Sequence, residues 1–370
     1  MTTSIKSSAL ERDPSEMNGS GWTGVRQRLA GALPTYGLVL LTVLLALLFS
    51  IALPDTFPTL FNLHSILSDK SVIALLALAA MLPMITGKID LTVGYGIVLW
   101  HILAISLQTH YGFSWPVAVA TVIAGGMLFG LFNGILVELA QIDSFIATLG
   151  TGTVLYAVAL WHSGGRQVVG ELPEDFYDIA TADWLGLPAP AFYVIGAAIL
   201  LWIVTEYMPI GRALYAIGAN PKAALLNGIP LRKYVVGAFV TSGGLTAFAA
   251  VVLASRLRIG QASVGLEYLL PALVGAFLGS TTIRPGRVNV WGTMVGVSIL
   301  AIGISGIQQF GGAFYVEPLF NGVTLLVSIG IAGYAQRKRS ASIKRSITSA
   351  QQTVSSNSMA VPVVPAPATS

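Results

Sequence analysis

The chain has 370 residues, of which 10% are charged and 54% hydrophobic, with 40 glycines, no cysteine and a small excess of 20 Lys and Arg over 16 Asp and Glu. A soluble globular protein carries about 25% charged residues, and no aqueous fold hides so much apolar surface, so a soluble enzyme and a disordered chain are both excluded. With a mean hydropathy of +0.76, the composition predicts an all-α polytopic membrane protein of closely packed helices rather than a β-barrel.

Residues 1–33 are polar, hold Lys6, Arg12, Arg26 and Arg28, and read as an N-terminal tail. Some thirty residues ahead of the first apolar run argue against a cleavable signal peptide. Ten apolar runs follow, at 34–53, 71–86, 91–107, 115–139, 144–161, 191–207, 234–254, 268–278, 288–307 and 315–334. They predict a transmembrane domain over 34–339 with about ten helices, some short or broken. Pro83 interrupts the second run, and Pro271 and Gly275 mark 268–278 as a broken or tilted span. The segment 163–190 is the longest internal polar stretch and is acidic. The segment 209–230 is basic and predicts a short helix outside the bilayer. The tail 340–370, rich in Ser, Thr, Ala, Val and Pro, predicts disorder.

Orientation follows from the Lys/Arg bias of the loops. With ten spans and both termini in the cytoplasm, all but four of the 20 Lys and Arg fall on cytoplasmic segments; Lys70, Arg166, Arg256 and Arg258 fall outside. Loop 163–190 is then external and the helix at 209–230 internal.

Chemistry-bearing motifs are few. No Walker A sequence is present, since the only Gly-Lys pair, Gly87-Lys88, is followed by Ile89. No His-Glu-x-x-His pair is present, and His64, His101, His110 and His162 are scattered, so no catalytic or metal-ligating residue is assigned. Asp175 and Asp178 have carboxylate-pair spacing but sit in the acidic loop, where a solvated face is the simpler reading. A proton-driven carrier needs carboxylates inside its spans. Asp90, Glu138, Glu206 and Glu267 all lie near predicted span ends, which favours a carrier energised from elsewhere.

Two polar stretches stand out. In Gly87-Lys88-Ile89-Asp90-Leu91-Thr92-Val93-Gly94, Gly87 permits a break, and the side-chain oxygens of Asp90 and Thr92 can cap the next helix. A simple cap and a polar bend beside a solute path both remain open. In 219–230, Asn220 can cap with Pro221 at the first helical position, and Gly228 can end the helix. A helix this short is not stable alone. Its small apolar face, Ala223, Ala224 and Leu226, suits a protein cleft better than a lipid surface.

At these stretches the sequence resembles the membrane permease subunits of ATP-binding-cassette (ABC) sugar importers, the ribose/xylose/arabinose permease group. The group's Gly-Gly-Ile-Asp-Leu-Ser-Val-Gly is matched by residues 87–94. Its Asn-Gly and Phe-Ile-Ala-Thr-Leu-Gly are matched by Asn133-Gly134 and by Phe145-Ile146-Ala147-Thr148-Leu149-Gly150. Its cytoplasmic pattern is matched by Gly211-Arg212, Tyr215-Ala216-Ile217-Gly218, Asn220, Ala223-Ala224 and Gly228-Ile229. Departures are Lys88 in place of a glycine, and Arg284 and Arg287 in place of a glycine-rich turn within 279–292. The resemblance implies a multi-pass permease of the inner membrane, a homodimer in the lipid bilayer. It also implies a cytosolic ABC ATPase that binds the ATP and Mg, with no cofactor on this chain, and a periplasmic sugar-binding protein; nucleic acid has no role. It marks Asp90, Thr92, Asn133, Phe145 and Thr148 as candidates for the translocation path, and Arg212, Asn220, Ala223, Ala224 and Gly228 for ATPase coupling. The alternatives are a stand-alone secondary carrier or channel, and an embedded enzyme acting on a lipid-linked substrate.

The chain contains no cysteine, so single cysteines at Asp175 and Lys222 report topology directly. A membrane-impermeant maleimide is expected to label them from opposite faces; labelling from one face would remove a span from the ten-span arrangement.

Overall fold

The computed structural model describes residues 20–312, 315–327 and 330, with side chains from residue 36 onward. Residues 1–19, the end of the last apolar run and the 340–370 tail lie outside the described residues. Over its described residues each apolar run is helical: α1 (Ser20–Ala52), α3 (Ser71–Ile85), α4 (Thr92–Thr109), α5 (Trp115–Glu138), α6 (Ser144–Ser163), α8 (Ala189–Trp202), α11 (Leu231–Leu257), α12 (Leu269–Leu278), α13 (Val290–Gln309) and α14 (Val316–Val327). Among the described residues, six helices are long and apolar enough to cross a membrane, and α3 joins α2 (Leu60–Asp69) as a seventh across a 41° bend. Segments Tyr36–Ala52, Leu266–Leu278 and Val316–Val327 are shorter apolar helices. The chain is an all-α polytopic membrane protein.

Local chemistry departs from the expected spans in two places, and the acidic segment gains elements of its own. The backbone of α1 begins at Ser20, well before the apolar run. Pro83 does not break α3; it sits in the last turn, where its carbonyl accepts from the backbone N–H of Thr86 and Lys88 and from the Thr86 hydroxyl. The acidic loop is ordered, holding helix α7 (Glu174–Thr181) and a hairpin of β1 (Asp183–Trp184) and β2 (Leu187–Pro188).

The centre of the bundle is α3, whose fifteen residues are all buried. A helix apolar on every face has no preferred side to show solvent or lipid, and so it goes to the middle. Helices α4, α11, α12 and α13 surround it. The most extensive helix contact is between α5 and α11. Gly126, Gly130 and Gly134 recur at four-residue spacing and form one face of α5. A Cβ at Gly126 would stand 2.5 Å from the Gly243 carbonyl oxygen, one at Gly134 2.9 Å from Val236 Cα, and one at Gly130 would collide with the Phe239 carbonyl oxygen. Between membrane helices, small residues of this kind allow backbone contact that lipid cannot match.

The 27 residues of α11 reach about 40 Å, so its two ends define the two ends of the bundle. At its C-terminal end the Ser255 hydroxyl donates to the Tyr177 carbonyl and accepts from the Ala180 N–H, which ties down α7. Arg256 pairs there with Asp69, and Lys70 with Glu317 at 3.4 Å. At its N-terminal end stand helices α9 (Pro209–Ala219) and α10 (Pro221–Leu226).

Replacing Gly130 by Val forces a side chain into the backbone of α11. The expected loss is about 3 kcal/mol, at the upper end of overpacking costs, read as a fall in the thermal unfolding midpoint in detergent; an unchanged midpoint would refute the contact.

Candidate functional site

The turn between α3 and α4 carries Asp90, only 1% exposed. In sequence it lies near a span end; in the fold α4, α5, α6 and α11 close over it. Its Oδ1 accepts from both the backbone N–H (2.9 Å) and the hydroxyl of Thr92. Its Oδ2 accepts from the Ser242 hydroxyl of α11 at 2.9 Å. The Thr92 hydroxyl in turn accepts from Asn133 Nδ2 of α5 at 3.2 Å, and Asn133 Oδ1 accepts from the Thr151 hydroxyl of α6 at 2.8 Å. One continuous chain of hydrogen bonds thus runs from α6 through α5 and α4 to the turn and on to α11. A buried polar group left unpaired costs several kcal/mol, so these four helices hold one another in register.

Thr148 serves the same turn differently. Its hydroxyl donates to the Ser144 carbonyl at 2.7 Å and accepts from the Leu91 N–H at 3.1 Å, while the Ser144 hydroxyl accepts from the Ile89 N–H at 3.1 Å. The first turn of α6 therefore satisfies backbone donors of the turn that no helix can pair. Of the five path candidates, Asp90, Thr92, Asn133 and Thr148 come together, all buried. Phe145 does not join them; it is exposed at 48%, with its N–H on the capping carboxylate of Asp143. Asp90 therefore pairs the N–H of Thr92, the first residue of α4, and also reaches across to α11 through Ser242. Ser242 and Thr151 were absent from the sequence reading. Their signal was a hydroxyl inside an apolar span, which carries no partner until the fold supplies one.

The second site is the α9–α10 corner. Asn220 caps α10, its Oδ1 accepting from the Ala223 N–H at 3.1 Å, with Pro221 in the first turn. Gly228 follows at φ +77°, the left-handed conformation that glycine adopts freely. Gly218 presses the end of α9 onto the Ile85 carbonyl, the last residue of α3. Ala224 turns inward, packed with Val137, Ala147, Ile217, Val235 and Phe239, whereas Leu225 and Leu226 stand 62% and 88% exposed. Ala224 therefore anchors α10, and the two leucines form its outer face. Arg212 and Ala223 are exposed on the same corner.

Lys88, Arg284 and Arg287 lie at this end as well. Lys88 pairs with Glu138 at 3.6 Å, Arg284 pairs with Glu206, and the Arg287 guanidinium lies 4.9 Å from the centre of the Tyr215 ring. The Tyr215 hydroxyl donates to the Val288 carbonyl at 3.1 Å. Burial first, and then the Glu206 carboxylate, push its ionisation upward. Glu138 and Glu206 are thus salt-bridge partners. The histidines find separate partners: fully buried His101 meets the Ile97 carbonyl through Nδ1 and accepts the Gln261 N–H at Nε2, His162 meets the Ser106 hydroxyl at 2.8 Å, and His64 meets Asp183 Oδ1 at 2.6 Å. Among the described residues no group of three or more His, Asp and Glu could hold a metal ion.

A family model described as branched-chain amino acid transport system / permease component matches residues 62–332. The chain is 31% identical over 319 residues to the ribose import permease protein RbsC of Bacillus subtilis, covering 86% of this chain and 95% of that protein. It is 30% identical to RbsC of Escherichia coli K12, covering 77% and 91%. It is 28% identical to the autoinducer 2 import system permease protein LsrD of Escherichia coli O9:H4, covering 80% and 91%. No solved structure matches the chain.

Asp90→Asn keeps an acceptor for Thr92 and sets an amide against the Ser242 hydroxyl, which can accept from it. Uptake is expected to persist in Asp90→Asn and to fall sharply in Asp90→Leu, which strands Thr92 and Ser242. A dead Asn variant beside a working Glu variant would instead show that a titratable group is required.

Proposed function

Because the chain belongs to the branched-chain amino acid transport system / permease component family, we propose that it forms the membrane path of an ABC importer for a monosaccharide or related polyol. The family is one of transport subunits rather than enzymes, and the ribose permeases align with this chain over nearly their whole length. Those names support a sugar. The single structural observation that carries the energy-coupling reading is α10, a six-residue helix anchored by Ala224 and presenting Leu225 and Leu226 outward. Exposed leucines on a short, capped helix beside cationic side chains suit a groove in a partner protein.

In this reading the α10 end faces the cytoplasm and engages a separate ATPase, which binds ATP and Mg. The α7 end faces a periplasmic sugar-binding protein, with contacts from the acidic loop that salt screens. Two copies form the pore. The turn at Asp90 lies where α3, α4 and α11 meet, and α11 begins directly after α10. A push on α10 thus reaches the turn through α11 and its Ser242. On this reading Asp90, Thr92, Asn133 and Thr148 position the helices that line the path, and Phe145 lies on an outer face.

The test replaces Leu225 and Leu226 together by Glu. Both side chains are exposed, so the permease is expected to fold and behave as a single species in detergent. Copurification with the ATPase and sugar uptake are expected to be lost together. Wild-type copurification and uptake in this variant would overturn the docking assignment. Binding of ribose, other pentoses, hexoses, polyols and autoinducer 2 to the partner binding protein identifies the solute.

A further inference from the structure

Between α1, α2, α8 and α13 lies an open cleft of about 510 Å³ that descends to the central helix α3. Small side chains create it: Ala46 and Ser50 on α1, Ala74 on α3, Ala191 on α8, and Ser298 and Ala301 on α13 all line its walls. The remaining lining is mostly aliphatic and includes Leu63, Ile66 and Val194. Its volume falls within the range of ligand-sized pockets, roughly 300–1,000 Å³.

The polar side chains at the cleft are already engaged within the chain. The Ser50 hydroxyl donates to the Ala46 carbonyl, Ser71 to Ser68, Ser298 to Met294 and Thr59 to Thr56. Asn62 donates to the Phe57 carbonyl and accepts from Ser305 and Gln309, and Lys70 is paired with Glu317. A buried water needs two to four polar partners, and this lining has few left to give. The walls belong to membrane helices, so the neighbouring medium is hydrocarbon.

We propose that this cleft is a binding site for one acyl chain of a membrane phospholipid, taken from the leaflet that adjoins the α7 end. The occupant must be thin, because the cleft runs from the outer helices down to Ala74, on a helix with no exposed residue. An α-helix of a second copy is about 10–12 Å across with its side chains, and even two of its turns exceed the 510 Å³ of the cleft. A flexible hydrocarbon chain can, and it supplies the contacts that the small residues forgo. The lipid would then wedge α1 against the body of the permease and touch α3, the helix that ends at the Asp90 turn.

The test uses the full chain in nanodiscs that contain phosphatidylethanolamine bearing a photoreactive diazirine near the end of one acyl chain. Cross-links are expected to concentrate on α1, α2, α8 and α13 around the cleft. Ser298→Phe and Ala46→Phe, each filling it from a different wall at a half-buried position, are expected to abolish most of that labelling. Both variants should keep the elution profile of the native protein. Cross-links spread evenly over the exposed faces of α5 and α6, or unchanged cleft labelling in both variants, would overturn the proposal. So would disulfide formation between two copies carrying Ala46→Cys, which would place the partner protomer over the cleft. If either substitution prevents folding, the distribution of cross-links on the native chain decides alone.

Discussion

Both carboxyl oxygens of Asp90 are hydrogen-bonded in the interior of a membrane protein, and the rest of the architecture is arranged around keeping them so. The partners are Thr92 on α4 and Ser242 on α11, with Asn133 on α5 and Thr151 on α6 behind Thr92. A carboxyl group in such a place is tolerated only when its hydrogen bonds are complete. Removing any one partner strands the next, so the network couples the positions of four helices more tightly than apolar packing does. Apolar contacts between membrane helices have no hydrophobic drive to single out one register, because lipid tails are as apolar as leucine. Hydrogen bonds supply that selection here.

The network is possible because α5 and α11 are very close. Asn133 lies between Gly130 and Gly134, on a helix whose glycine face sits against the α11 backbone. Larger residues at those positions would hold the two helices apart, and the distances from Asn133 to Thr92 and from Ser242 to Asp90 could not both be met. Close packing and polar pairing are therefore one device: the glycines set the distance, and the hydroxyl and amide groups set the register.

At the α10 end the constraint is electrostatic as well as steric. A six-residue helix is too short to persist in isolation. It persists here because Asn220 caps it, Ala224 is buried under it, and the preceding helix is pressed onto the end of α3 through Gly218. Lys88, Arg284 and Arg287 are spent on Glu138, Glu206 and the Tyr215 ring around the same corner. Arg284 and Arg287 brace the loop between α12 and α13 against Glu206, four residues past the end of α8, and Tyr215 of α9, and Lys88 braces the turn after α3 against the end of α5. These charges build the platform on which α10 stands.

Much of this was legible in the amino-acid sequence. The ten apolar runs are helical over their described residues because apolar stretches in a membrane leave the backbone no other partner than itself. The caps at Asn220 and the stop at Gly228 depend only on neighbouring residues, so local chemistry determined them. The family motif placed Asp90, Thr92, Asn133, Phe145 and Thr148 on one list; four of them meet, and Phe145 stands apart on an exposed face. What the sequence could not contain was the far side of each contact. Ser242 lies 152 residues from Asp90, and nothing near Ser242 distinguishes it from any other hydroxyl in an apolar helix. Whether Asp90 faces water or the interior, whether Ala224 faces a partner or its own chain, and which acid receives Lys88 were decided only when the helices packed. Those outcomes depend on distances between segments remote in sequence, and helical periodicity carries no information about which neighbour a face will meet.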